Sequence, residues 1–123
     1  MTISRKPGTR LVLTGIASGT VPAGTTDHIF SWTADKLYYM DGASYEVDGH
    51  SFGDTIKFQV HHPVHGKVGE FTHSAGAYVH TSAFYDFYKA TIQAGLIIKL
   101  IYTSVGAQDV KIVANLHLHV DDI

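Results

Sequence analysis

The sequence has no cysteine and only three prolines, and few of its residues are charged. Without cysteine, the chain cannot form a disulfide framework, a thiolate metal site or a thiol nucleophile. A formal net charge of −2 leaves no polybasic field that would hold nucleic acid or an anionic membrane surface. No window approaches the roughly twenty apolar residues of a membrane helix. We therefore expect no direct nucleic-acid partner and no membrane partner.

The N-terminal residues are polar and basic and include Pro7 and Gly8. No long apolar run follows Arg5 and Lys6, so this segment lacks the pattern of a signal peptide. Chain ends of this composition are commonly frayed. With 123 residues the chain is long enough for one core and short for two. We predict a flexible arm over residues 1–9, a single domain over residues 10–123, and synthesis in a reducing cytoplasm.

Glycine, aromatic residues and β-branched residues are abundant, which favours an all-β domain over a helical one. Residues 96–103 are mostly apolar on both faces, as is typical of a strand in the middle of a sheet. A short loop containing Gly106 connects this strand to a second run over residues 109–120. The pattern predicts that the two runs form an antiparallel hairpin. The second run shows a period of two, with these apolar residues on one face: Val110, Ile112, Ala114, Leu116, Leu118 and Val120.

Other alternating runs are separated by turn residues along the whole chain. A loop is predicted at residues 18–25, and the steps Asp41-Gly42 and Asp48-Gly49 predict the two turns of a meander. Residues 83–92 fit a helical face and a strand equally well, and we interpret them as a strand because the rest is strand and turn. The total is roughly eight strands at intervals of about ten residues, which predicts an antiparallel, jelly-roll-like β-sandwich.

Nine histidines need an interpretation. His117 and His119 are two apart on a predicted strand and share a face, so they could hold Zn²⁺ or Fe²⁺ with a third ligand. His61 or His65 could supply it, which would make the chain a cupin-like metal-dependent enzyme. No companion carboxylate lies near the pair, and short motifs are unreliable. We favour no metal, with histidines on a solvated or inter-subunit face where their titration would make assembly pH-sensitive.

The acidic residues of the first half mostly belong to predicted turns. Aspartates in turns usually cap backbone amides, so a calcium site or a pair of glycosidase carboxylates is not favoured. No nucleophile elbow, phosphate-binding loop or dinucleotide fingerprint occurs in the sequence. We accordingly expect no catalytic residues and no cofactor.

Aromatic residues leave two functions open besides filling the core. Exposed rings on a β-sandwich can stack on sugars, as in a carbohydrate-binding module, and subunit interfaces use the same residues. The two apolar faces of residues 96–103 favour an interface, because sugars bind exposed rings rather than isoleucine. The predicted assembly contacts are Arg5, Lys6, Trp32, Tyr85, Tyr88, Ile97 and Ile101.

Five short segments lie at turns and strand edges: Asp48–Asp54, Gln59–Pro63, Ala94-Gly95-Leu96, Leu100–Gly106 and Asp109-Val110. Together they resemble small β-sandwich structural proteins of tailed bacteriophages, over residues 26–116. The resemblance implies a virion component, such as a head-decoration, minor capsid or tail-associated subunit, with no cofactor and no active site. Its implied partners are copies of itself and other virion proteins, in a homo-oligomer.

Overall fold

The computed structural model describes residues 9–74, 80–85 and 91–121, and this part of the chain is built from antiparallel strands. No helix among these residues is long and apolar enough to cross a membrane. Residues 1–8 of the predicted arm lie outside the described residues, and Thr9 is the first residue of β1. The strands are β1 (Thr9–Val21), β2 (His28–Thr33), β3 (Tyr38–Asp48), β4 (Thr55–His62), β5 (Gly66–Ser74), β6 (His80–Tyr85), β7 (Thr91–Ile92), β8 (Ile97–Thr103) and β9 (Val110–Asp121).

The strands form two sheets, one with the order β1-β9-β3-β6 and the other with the order β2-β8-β4-β5. One edge of β3 pairs with β9. The other edge pairs first with β7 and then with β6, so β6 and β7 share one strand position. Counted this way, the eight positions are ordered 1-8-3-6 and 2-7-4-5, which is the order of a jelly roll. The predicted antiparallel, jelly-roll-like β-sandwich is therefore confirmed.

The predicted C-terminal hairpin is wrong, although both of its strands exist. β8 lies between β2 and β4, whereas β9 lies between β1 and β3, so residues 104–109 cross from one sheet to the other. Both strands bury one face in the same core, and alternation reports a buried face without reporting the sheet that carries it. The predicted central position of the first strand is confirmed for β8.

The turn predicted at Asp41-Gly42 is also wrong. β3 continues through this step, and its register against β9 shifts between Met40 and Gly42. Such a shift is a β-bulge, which favours glycine for the same conformational reason as a turn does. The second step, Asp48-Gly49, does end the strand, so β3 is one long strand rather than part of a meander.

Two further boundaries differ from the sequence-based expectation. β1 runs through residues 18–21, which were expected to belong to a loop, because those residues pair with β9. The segment 83–92 contributes to β6 and β7, and residues 86–90 lie outside the described residues.

The core lies between the two sheets and is made by the alternate residues of their strands. All six apolar residues predicted to share a face of β9 are buried there. The inner face of β4 adds Ile56, Phe58 and Val60, and that of β8 adds Ile98, Leu100 and Tyr102. The side chains on the outer faces of both sheets point away from this core.

Candidate assembly surfaces

The histidines considered as metal ligands lie on opposite sides of the sandwich. His61 is on the outer face of β4, where its Nε2 lies 2.8 Å from Oε1 of Gln59. His117 and His119 share the outer face of β9, as predicted, and Nε2 of His117 lies 2.8 Å from Oγ of Ser44. Both sheets and the core separate these positions. Within the described residues, no three His, Asp or Glu side chains come close enough to hold one metal ion.

His65, the other residue considered as a third ligand, lies in the turn between β4 and β5. Its ring centroid is 4.5 Å from that of His62, whose Nδ1 accepts hydrogen bonds from the amides of Val64 and His65. This turn belongs to the four-stranded sheet. His65 is thus also across the sandwich from His117 and His119.

The outer face of the five-stranded sheet combines histidine with exposed leucine. On the edge strand β1, Leu11 is paired with His119 and Leu13 with His117. The two leucines are 50% and 62% exposed, whereas His119 is buried. The edge strand β1 thus carries apolar side chains that are exposed to solvent. Exposed apolar side chains are common on surfaces that contact other proteins.

The outer face of the four-stranded sheet, the lysine face, combines lysine with isoleucine. Pairing across β2, β8, β4 and β5 places Lys99 between Ser31 and Gln59, and places Ile101 between Ile29 and Lys57. The row on the other side of Lys99 contains Ile97, His61 and Lys67. Glu70 is the one carboxylate among the described residues of this face. The lysine face is therefore cationic although the chain as a whole is slightly anionic.

Local interactions set the charge states on the lysine face. Nζ of Lys67 lies 3.1 Å from Oε2 of Glu70, and Nε2 of Gln59 donates to the same oxygen at 2.7 Å. The hydrogen bond from Gln59, together with Lys67, lowers the pKa of Glu70. Burial lowers the pKa of His61 below its ordinary value, and the nearby charges of Lys99 and Lys67 lower it further. At neutral pH the face therefore presents lysine charges beside a neutral imidazole.

The seven predicted assembly contacts fall into four groups. Ile97 and Ile101 lie half-buried on the lysine face. Trp32 instead packs against the core, with its ring 5.2 Å from that of Tyr38 in an edge-on contact. Tyr85 is the last residue of β6, where it is paired with Ala43. The remaining three, Arg5, Lys6 and Tyr88, lie outside the described residues.

Most of the described aromatic residues considered for sugar binding serve the core. Tyr38 and Tyr45 are buried, and Trp32 is half-buried, with its ring edge-on to Tyr38 and packed against the core. Burial also raises the pKa of Tyr45, because its ionised form would lose hydration. These three rings therefore do not form an exposed stacking platform.

Three loops meet at one end of the sandwich, the loop end, which comprises residues 22–27, 49–54 and 104–109. Its centre is Asp54, whose side chain is completely buried. Oδ2 of Asp54 accepts hydrogen bonds from the Tyr102 hydroxyl at 2.6 Å and the Ser51 amide at 3.1 Å, and Oδ1 accepts one from the Val105 amide at 2.8 Å. Burial, with the bond to Asp54, raises the pKa of Tyr102 well above its usual range.

Further hydrogen bonds attach residues 22–27 to this centre. The Ala23 amide donates to Oδ1 of Asp109 at 3.0 Å, and the Ser104 amide donates to the Thr25 carbonyl at 2.9 Å. Asp54 thus follows the expectation that turn aspartates cap backbone amides. Its link to Tyr102, 48 residues away, was not visible in the sequence.

The loop end also presents an apolar tip that the sequence analysis missed. Phe52 is 83% exposed in the turn between Ser51 and Asp54, which the Asp54 amide closes with a 3.0 Å bond to the Ser51 carbonyl. Val105 is 60% exposed, and its Cγ2 would lie 3.3 Å from a Cβ at Gly53, so it is beside this turn. In the sequence, this exposed tip could have been inferred from the position of Phe52, an aromatic residue between the turn residues Gly49 and Gly53.

The strand order defines the class of the fold, a jelly-roll β-sandwich. A chain of the infectious bursal disease virus particle matches 98% of this chain with a TM-score of 0.56 and 8% identity. A VP2 subviral particle of that virus matches 94% with a TM-score of 0.52 and 8% identity. This chain spans only 33% and 34% of those two chains. At such low identity, these matches show the fold alone.

A family 6 carbohydrate-binding module has 10% identity and covers 94% of this chain and 82% of its own, with a TM-score of 0.42. That score is too low to support a shared function. No protein-family model matches the chain, and no curated protein does either.

Proposed function

We propose that this chain is a structural subunit of a virus particle, specifically of a bacteriophage, and that it acts by binding copies of itself and other particle proteins rather than by catalysis. The observation that carries the proposal is the jelly-roll β-sandwich, a fold similar to that of a chain of an icosahedral virus particle. The assignment to bacteriophages rests on the sequence resemblance in segments such as Asp48–Asp54. Within a virion the subunit would be a head-decoration, minor capsid or tail-associated protein.

The exposed apolar side chains support a role in association. Leu11, Leu13 and Phe52 are 50%, 62% and 83% exposed, and they lie on two different parts of the surface. Folding does not cover them, whereas contact with other subunits would remove them from water. An interface of about 1,600 Å² is sufficient for specific association between copies.

Light scattering on the purified full-length chain tests this proposal. We expect oligomers at high protein concentration within about pH 5–8, the range in which histidines at a subunit interface titrate. A monomer at every pH and concentration would contradict the proposal.

Elemental analysis of the same sample separates the proposal from the metal-enzyme alternative. We expect no stoichiometric transition metal. A metal that is present in the wild type and lost in His117→Ala would favour the enzyme instead.

A further inference from the structure

We propose that copies of this chain associate head to tail, with the loop end of one copy docked on the lysine face of the next. The inference rests on the proposed function as an assembly subunit and goes further by assigning the two surfaces that meet. The occupant of the lysine face is therefore a second copy of the same chain.

The two surfaces carry opposite charges. The lysine face has Lys57, Lys67 and Lys99 against the single carboxylate of Glu70. Lys99 is half-buried at its centre and forms no ion pair with any residue that the structure describes. An ammonium group without a counter-ion attracts a carboxylate from a neighbouring molecule.

The loop end supplies such carboxylates. Asp27, Asp48 and Asp109 are all exposed there. Lys111 is paired with Asp48 across β3 and β9, which leaves an excess of negative charge at this end. Opposite charges on two different parts of one chain favour contacts between unlike surfaces of neighbouring copies.

Both surfaces also offer apolar side chains beside their charges. On the lysine face, Ile29 is 54% exposed and lies next to the half-buried Ile101. On the loop end, Phe52 and Val105 are the exposed apolar residues. Interfaces between proteins commonly bury an aromatic anchor at their centre and place charged groups around it. Phe52 is the exposed ring that can serve as this anchor.

The loop end is held in shape before any contact is made. The three hydrogen bonds to Asp54 fix the Phe52 turn and the Val105 backbone. The lysine face is equally fixed, since Lys99 and Lys57 lie on the two central strands of their sheet. Surfaces that need little ordering lose less conformational entropy on binding.

The inferred contact is heterologous, because its two halves are different surfaces. Such contacts produce closed rings when the rotation between copies closes and open chains when it does not. Either outcome yields assemblies larger than a dimer. An isologous contact, in which each surface binds its own counterpart, would stop at two copies.

Two variants, each blocked on one surface, test the inference. Lys99→Glu reverses the charge of the lysine face, with Lys99→Gln as a milder second variant. Phe52→Ser removes the anchor of the loop end. The matched controls are Lys36→Glu, an exposed lysine in the turn between β2 and β3, and Val64→Ser, an exposed apolar residue in the turn between β4 and β5, at the opposite end of the sandwich.

Sedimentation velocity measures the outcome, with circular dichroism confirming that each variant is folded. We expect the wild type and both controls to form assemblies larger than a dimer, and this association to weaken at least tenfold when salt is raised from 50 to 500 mM. Each blocked variant alone should be monomeric. An equimolar mixture of Lys99→Glu and Phe52→Ser should form 1:1 dimers and nothing larger, because only one competent pair of surfaces remains.

Other results overturn the inference in distinguishable ways. If the wild type assembles and the blocked variants assemble equally well, the two surfaces are not those used, although the proposed function stands. If the blocked variants are monomeric but their mixture does not form dimers, the surfaces do not bind each other. If the wild type itself never assembles, both the inference and the proposed function fail.

Discussion

At the scale of single residues, Asp54 is the side chain on which the loop end depends. Its carboxylate accepts hydrogen bonds from Ser51, Tyr102 and Val105 in a fully buried position. In Asp54→Ala these three donors lose their acceptor away from water, so we expect a loss of about 4 kcal/mol in the free energy of unfolding. Urea denaturation followed by circular dichroism provides the measurement.

Tyr102→Phe is the matched variant, because it removes one donor and leaves both amide bonds to Asp54 in place. We expect it to cost about 2 kcal/mol, the usual contribution of a hydrogen bond to a charged group. If Asp54→Ala were no more destabilising than Tyr102→Phe, the carboxylate would not be holding the two backbone amides.

At the scale of strands and turns, the sequence predicted faces more reliably than partners. Alternation correctly identified the buried side chains of β9, because burial on one face imposes a period of two. The apolar residues on both faces of residues 96–103 correctly predicted the central position of β8. Alternation could not assign β8 and β9 to different sheets, since both sheets bury their strands in the same core. Likewise, Asp41-Gly42 correctly indicated a backbone conformation that favours glycine. The sequence could not show whether that conformation belongs to a turn or to a β-bulge, because both favour glycine.

The candidate surfaces were less predictable than the fold for a related reason. The sequence correctly placed His117 and His119 on one face, which depends only on their spacing. It could not show that His61 lies on the opposite side of the sandwich, nor that Lys57 and Lys99 meet on one face. Those relations depend on pairing between strands that are far apart in the chain.

The turn after β3 is the element for which a backbone substitution is most informative. Gly49 has φ of 86°, and a Cβ there would lie 2.7 Å from the Asp109 carbonyl oxygen. Gly24 has φ of 68°, with no atom within 4 Å of the equivalent position. We expect Gly24→Ala to cost about 1 kcal/mol of stability, the penalty of a left-handed conformation.

Gly49→Ala should cost about 3 kcal/mol, because the same conformational penalty is joined by a collision with backbone that must move. Thermal unfolding of the two variants side by side gives the comparison. Equal losses would mean that the loop at residues 104–109 yields freely, and that the loop end is less rigid than its hydrogen bonds indicate.

At the scale of the whole molecule, the jelly-roll order couples the two sheets. Consecutive strands repeatedly cross between sheets, as β8 and β9 do, and the first strand is paired with the last. Neither sheet is made from one continuous part of the chain. Each sheet also has an outer face that points away from the core, so a small chain can keep one core and still present exposed side chains, such as Leu13 and Lys67, on both sheets.

This coupling predicts that the sheets unfold together. Buried residues of both sheets form one cluster, and a sheet that separated from its partner would expose its whole apolar face. Trp32, the only tryptophan, packs against the core from the four-stranded sheet, so its fluorescence reports that sheet, whereas far-ultraviolet circular dichroism reports both.

In urea, dilute Phe52→Ser protein, chosen to limit association, should give coincident midpoints by the two signals. A fluorescence midpoint clearly below that of circular dichroism would show that the four-stranded sheet opens first, and that the two sheets are stabilised independently.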